Sequence, residues 1–356
     1  MGRKAYKAVI ILISCIALLS SCVKDKPSSP TTMGTGNTYV VCEGSLGNGD
    51  GTLYVYNSKL DSAYGDKYYA VNKQPLGDVF QSMQRIGDNL FLCVNNSDKI
   101  VVVDAANLQL KGTINVPKPR YILKISNTKA YVSSLFSNKV YIINPQSLQV
   151  TGSIDMPHLN TEGMLLYNNK AYICTWDTVS NKLYSVDAAT DKIADSIPLA
   201  GYAPQEIMID KEYKLWVLSG DMPEGKPCAF NRIEPDDDKL IKSYVFSPQA
   251  DPVRPVMNRS NDSIYFIEAD FNGNTQYNGI FRMSIYDASL PTAPFIAAEK
   301  YQYFWALGID PATGYIYVGD PKGFVQKGTV SIYKPDASLV TQFNVGIGPG
   351  HFYFDE

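Results

Sequence analysis

A unit of roughly forty residues returns along this chain, and repeats of that length restrict the fold before any single residue is weighed. Each copy holds an aromatic inside a short apolar run that ends in small or polar residues, followed by a second such run that closes on Asp or Asn in its most regular copies. The first run reads Leu90-Phe91-Leu92-Cys93, Ala130-Tyr131-Val132-Ser133, Ala171-Tyr172-Ile173-Cys174, Leu215-Trp216-Val217-Leu218, Ile264-Tyr265-Phe266-Ile267 and Ile316-Tyr317-Val318-Gly319, with Tyr39-Val40-Val41-Cys42 near the start. The second reads Leu53-Tyr54-Val55-Tyr56, Ile100-Val101-Val102-Val103-Asp104, Val140-Tyr141-Ile142-Ile143-Asn144, Leu183-Tyr184-Ser185-Val186-Asp187, Ile280-Phe281-Arg282-Met283 and Val330-Ser331-Ile332-Tyr333. Ala229-Phe230-Asn231-Arg232 fills the remaining slot.

Runs of this length, dense in Tyr, Val and Ile and bounded by Gly, Asn, Asp and Pro, indicate strands. Beyond the leader no 3.6-residue periodicity points to a helix. One unit divides into Ile122 to Ser126, Ala130 to Ser133, Val140 to Asn144 and Val150 to Ile154. Four short strands per unit describe a propeller blade, and the second runs count seven of them. The chain begins with outer strands only and ends with the lone run His351-Phe352-Tyr353-Phe354. That run is expected to supply the inner edge of the first blade, leaving no open edge at the seam. The reading is therefore all-β, a seven-bladed β-propeller over residues 38–356 closed by its C-terminal strand. Asp104, Asn144 and Asp187, at run ends, are expected to cap turns, and the mid-strand tyrosines to pack between blades.

The first 21 residues read as a secretory signal: Arg3, Lys4 and Lys7 precede an apolar stretch from Ala8 to Leu19, too short to span a bilayer comfortably. Leu19-Ser20-Ser21-Cys22 resembles the bacterial lipobox, which implies acylation of Cys22 as a lipid anchor. Lys24-Asp25-Lys26 is similar to charged signals that send lipoproteins to the cell surface, so an outer-membrane, outward-facing location is expected. Residues 22–37, rich in Pro, Ser, Thr and Gly, read as a tether. Removing the three leader charges from a net charge of −3 leaves about −6, and no basic stripe is present, so nucleic acid is not an expected partner. Cys42, Cys93, Cys174 and Cys228 remain in the folded part, and buried free thiols are expected there rather than disulfides.

In a propeller the links into each inner strand and the loops between second and third strands share one face, where function concentrates. Here those segments mix amides, acids, arginines and aromatics, a composition suited to a large, flat, polar-edged ligand. Candidate binding residues are Asn95, Arg120, Phe136, Trp176, Gln205, Asp221, Arg254, Asp270, Trp305 and Asp320. Trp176, Trp305 and Phe136 stand out, because large apolar side chains at loop tips need a partner. No metal or catalytic residue is assigned: His158 and His351 are the only histidines, expected on matching connections of one face, and no zinc spacing or Gly-x-Ser-x-Gly motif is present. Asp270-x-Asn272-x-Asn274 alternates like a calcium loop, but Thr275 replaces the glycine and Phe281 the bidentate Glu, so calcium has no firm support. Asp236-Asp237-Asp238 reads as an exposed turn that could hold a weak cation.

With a lipobox, a charged tail and Ala-Tyr-Val and Val-Tyr-Ile-Ile-Asn strand runs, the chain resembles the YVTN-type propellers from about Thr38 to Glu356. Within that group, size, anchor, blade number and Tyr39-Val40-Val41-Cys42-Glu43-Gly44 make it similar to the BtuG-type surface lipoproteins. The resemblance implies a non-enzymatic protein that captures cobalamin and other corrinoids and passes them to a BtuB-type TonB-dependent transporter in the outer membrane, requiring no cofactor. An adhesive or scaffolding propeller for protein or glycan, and a metal-dependent hydrolase or lyase, are the other readings, since propellers host many tasks.

Overall fold

The computed structural model of the protein describes residues 36–268, 278–300 and 302–355. The leader, Cys22 and nearly all of the tether lie outside them, as do Asp270, Asn272 and Asn274. The chain winds into seven four-stranded antiparallel sheets arranged as blades of a ring. Blade 1 pairs Pro349–Phe354 with Asn37–Cys42, followed outward by Thr52–Asn57 and Ser62–Tyr64. The register at this seam places Thr38 opposite Phe354, Tyr39 opposite Tyr353 and Val40 opposite Phe352, so both ends of the propeller are stitched into one sheet, as expected.

The innermost strands of blades 2 to 7 are Phe80–Ile86, Pro119–Lys124, Thr161–Tyr167, Pro204–Ile209, Pro252–Met257 and Ala306–Ile309. In blade 3 the inner strand thus starts at Pro119 rather than Ile122. The offset has a local cause: Arg120 and Tyr121 form a bulge between the pairs Pro119–Ser134 and Ile122–Val132, so the chain joins the sheet before its apolar run begins. A short helix, Lys67–Asn72, lies between blades 1 and 2, capped by the Asp66 carboxylate accepting from the Tyr69 amide at 3.1 Å. Six residues are too few for a helical period to register in the sequence.

The apolar core lies between blades. Alternate side chains of a second strand serve opposite neighbours, as a pleat of period two requires. Leu90 and Leu92 pack with Tyr39, Val41 and Leu53 of blade 1, while Phe91 and Cys93 pack with Ala130, Val132 and Ile143 of blade 3. The mid-strand tyrosines add polar ties across the same boundaries. Tyr172 of blade 4 donates to Asp238 at 2.8 Å and accompanies the Pro235 carbonyl at 3.0 Å, both in a turn of blade 5, and Tyr131 reaches Asp191 in the next blade. Asp238 also meets Lys170 at 2.6 Å, so it is an inter-blade anchor instead of a loose cation ligand. Asp104, Asn144 and Asp187 each accept two consecutive turn amides, the capping role their positions suggest. The four cysteines among the described residues are buried and free; burial pushes the Cys42, Cys93 and Cys228 thiols up to about 12.

Candidate functional site: the axial throat

The inner strands enter the ring in a common way. Val79, Lys118, Asn160 and Ala203, each just ahead of an inner strand, take positive φ values of 55°, 41°, 56° and 51°. Register shifts follow at Phe80/Ser82, Pro119/Ile122, Thr161/Met164, Pro204/Glu206 and Val253/Val256. Residues skipped by the ladder include Gln81, Arg120, Tyr121, Glu162, Gln205 and Arg254. Freed from strand pairing, they line a cavity of about 400 Å³ on the axis, together with Glu43, Trp176, Glu206, Asp221, Asp251 and Trp305. Every blade contributes a wall.

Two ion-paired groups organise this throat. The Arg120 Nε donates to both Glu162 carboxylate oxygens, at 2.8 and 3.1 Å, while its Nη1 reaches Gln81 Oε1. Glu162 is only 3% exposed; burial raises its carboxyl above the usual range despite the opposing pull of Arg120. Arg254, itself at φ 53°, donates to the Tyr121 hydroxyl at 3.1 Å and sits 3.5 Å from Glu43. Its guanidinium lies 5.1 Å from the centre of the Trp305 ring, whose indole N–H donates to Glu43 at 2.8 Å. Gly350 makes room for this arrangement, since a β-carbon there would occupy the space of the Glu43 carboxylate. Gly163 similarly lets adjacent inner strands close up, because its β-carbon would come within 2.7 Å of the Gln205 carbonyl.

Other groups keep unused bonding capacity. Glu206 stands 4.0 Å from Arg254, outside hydrogen-bonding range, and its side chain is 26% exposed. Burial pushes its carboxyl up to about 7, Arg254 opposing and Glu162 adding to the rise. Asp251 is pushed up to about 6, by burial and then by Asp221. The Trp176 indole N–H is buried without a hydrogen-bond partner among the described residues. Below Tyr121, Glu206 and Arg254 a second chamber of about 360 Å³ continues down the axis, walled by Met83, Met164, Leu307 and Phe352 and reached by His351. Burial, then Arg254, pull the His351 imidazole down to about 4.

Of the sequence candidates, Arg120, Trp176, Gln205, Asp221, Arg254 and Trp305 all reach the throat. Asn95 does not: it is 5% exposed and its amide donates to the Pro119 carbonyl at 3.2 Å, bracing the blade 3 link. Asp320 is likewise buried, holding Lys322 at 3.2 Å. Phe136 stands on the rim, 74% exposed, with Leu46 at 78%, and Val179 and Val325 project from equivalent loops. Asp270 lies outside the described residues. The histidines do not share a site, because His351 belongs to an innermost strand on the axis whereas His158 occupies a link, 3.6 Å from Asp177. Among the described residues no group of three His, Cys, Asp or Glu side chains is placed to hold a metal ion. Glu43, Glu162 and Glu206 were not among the sequence candidates. The signal for Glu162 and Glu206 is a polar residue one or two places into an inner strand, as in Phe80-Gln81, Pro119-Arg120, Thr161-Glu162 and Pro204-Gln205-Glu206, whereas Glu43 follows the second strand of blade 1 and carries no such mark.

The fold has many solved counterparts. A quinonprotein alcohol dehydrogenase-like protein from Bacteroides thetaiotaomicron aligns with a TM-score of 0.69 at 18% identity, over 91% of this chain and 79% of that one. The periplasmic gluconolactonase of Pseudomonas aeruginosa aligns at 0.66 and 10% identity, over 90% and 99%. Hydrazine synthase of Kuenenia stuttgartiensis aligns at 0.61 and 15% identity, over 75% and 86%. At such identities the likeness concerns the fold alone. No curated protein matches the chain. Residues 36–354 match a family model, and the chain belongs to that family, described as Domain of unknown function (DUF5074).

Proposed function

We propose that this propeller is a capture protein: it seats a corrinoid over the axial throat and passes it, chemically unchanged, to a TonB-dependent transporter of the outer membrane. The observation that carries the reading is the throat itself, where two indoles and a phenol alternate with amide, carboxylate and guanidinium groups contributed by all blades. A flat macrocycle fringed with amides needs that mixture, apolar faces for its plane and hydrogen-bonding groups for its edge. A corrinoid exceeds 400 Å³ in size, so on this reading it rests across the mouth and only part of it enters. The exposed rim side chains Leu46, Phe136, Val179 and Val325 support a second, protein-facing role for the same face. Acylated Cys22 would hold that face near the transporter and raise the encounter rate.

The test is co-elution of cyanocobalamin with the purified protein in gel filtration followed at visible wavelengths. Trp176→Ala and Trp305→Ala are each expected to weaken retention at least about tenfold, one to two stacking contacts' worth. The thermal transition of Trp176→Ala should stay close to that of the parent, while that of Trp305→Ala should fall, because Glu43 loses its indole donor and Arg254 its ring. Absence of co-elution refutes corrinoid capture and leaves the apolar rim to the adhesive reading.

A further inference from the structure

Five carboxylates, those of Glu43, Glu162, Glu206, Asp221 and Asp251, share the throat with only two guanidiniums. Glu162 and Glu43 are matched by Arg120 and Arg254, which leaves the remaining acids in excess. Glu206 is the axial member of that excess: it accepts no hydrogen bond among the described residues and faces both chambers. On a neighbouring wall the Trp176 indole N–H is a buried donor without an acceptor. An acceptor left open on the axis matches a cation or the NH₂ of a primary carboxamide, which donates. A carboxylate in the same place finds no donor for half its bonds and meets like charge.

We propose that the throat discriminates by charge, accepting neutral primary amides and cations and rejecting carboxylates, with Glu206 as the specificity-determining residue. The inference deepens the corrinoid reading and rests on it for the identity of the ligand, though not for the charge rule. Burial is the main cause of the raised carboxyls of Glu206 and Asp251, and the like charges of Glu162 and Asp221 add to the rise while Arg254 opposes it at Glu206.

Two measurements at pH 8 decide the matter. In the first, affinity is compared between cyanocobalamin and its monocarboxylic acids, each with one peripheral propionamide hydrolysed. At least one monoacid should bind about tenfold or more weakly, the effect of a single screened like-charge contact, and Glu206→Gln should reduce that ratio to below about threefold. Equal binding of every monoacid, or an unchanged ratio in the variant, overturns the proposal. In the second, which needs no corrinoid, indole emission is quenched by caesium, iodide and acrylamide. Trp216 is buried, so Trp176 and Trp305 report. Caesium should outperform iodide by at least about threefold through field focusing in the cleft, acrylamide should quench freely, and Glu206→Gln should narrow the ionic gap. Iodide quenching as strong as caesium overturns the charge rule. If cyanocobalamin itself does not bind, the capture function fails while the quenching result still decides this inference.

Discussion

Replacing Glu206 by Gln isolates the cost of holding a carboxylate on the propeller axis. Burial sets the Glu206 carboxyl at about 7 in the folded protein, against 4.5 for an unperturbed glutamate. Between those values the folded chain keeps a proton that the unfolded chain has shed, so stability falls as pH rises through the window, and the full penalty is present above it. At about 1.4 kcal/mol per pH unit the gap corresponds to an upper figure near 3.5 kcal/mol. Because 26% of the side chain opens on the cavity, about 2 kcal/mol is the working expectation. Glu206→Gln should therefore be more stable than the parent by about 2 kcal/mol at pH 8 and by nearly nothing at pH 4.5. Urea unfolding followed by tryptophan emission and far-ultraviolet dichroism at both pH values measures the difference, with equal m-values as the check on like-for-like unfolding. Asp251 and Glu268, pushed up to about 6 and about 7, titrate in both proteins and cancel. A variant that is less stable at pH 8, or one offset equally at both pH values, refutes the assignment of desolvation as the dominant force on Glu206.

Two further substitutions test the scaffold. Tyr172→Phe removes the hydroxyl that ties blade 4 to Asp238 and the Pro235 carbonyl; it should cost about 1 to 3 kcal/mol in denaturant unfolding, and an unchanged midpoint refutes a stabilising inter-blade tie. Gly350→Ala places a β-carbon where the Glu43 carboxylate lies. Loss of about 1 to 3 kcal/mol is expected together with a shift in Trp305 emission, because the displaced carboxylate no longer accepts from the indole N–H; unaltered emission refutes the proposed crowding.

What could be read from the linear chain was whatever depends on near neighbours. The repeat sets strand length, strand order and blade count, because each blade touches only the two beside it, and the terminal run His351-Phe352-Tyr353-Phe354 announced the closure seen opposite Thr38 to Val41. Asp104, Asn144 and Asp187 were legible for the same reason, since a turn cap bonds amides two and three residues ahead. Asn95 and Asp320 misled because a loop position in the sequence does not say whether the side chain turns outward or back against the adjoining link.

The throat required the closed ring. Glu43, Gln81, Arg120, Glu162, Glu206 and Arg254 come from different blades, and no local pattern brings them together; bulges at the start of inner strands release Gln81, Arg120, Glu162 and Arg254 from the ladder, and the circular arrangement gathers them with Glu43 and Glu206 at one axis. Sequence alone therefore determined a seven-bladed propeller with a polar-aromatic loop face. Only the tertiary structure decided which acids are matched by arginines and which remain open, because pairing depends on distances across the axis rather than on spacing along the chain.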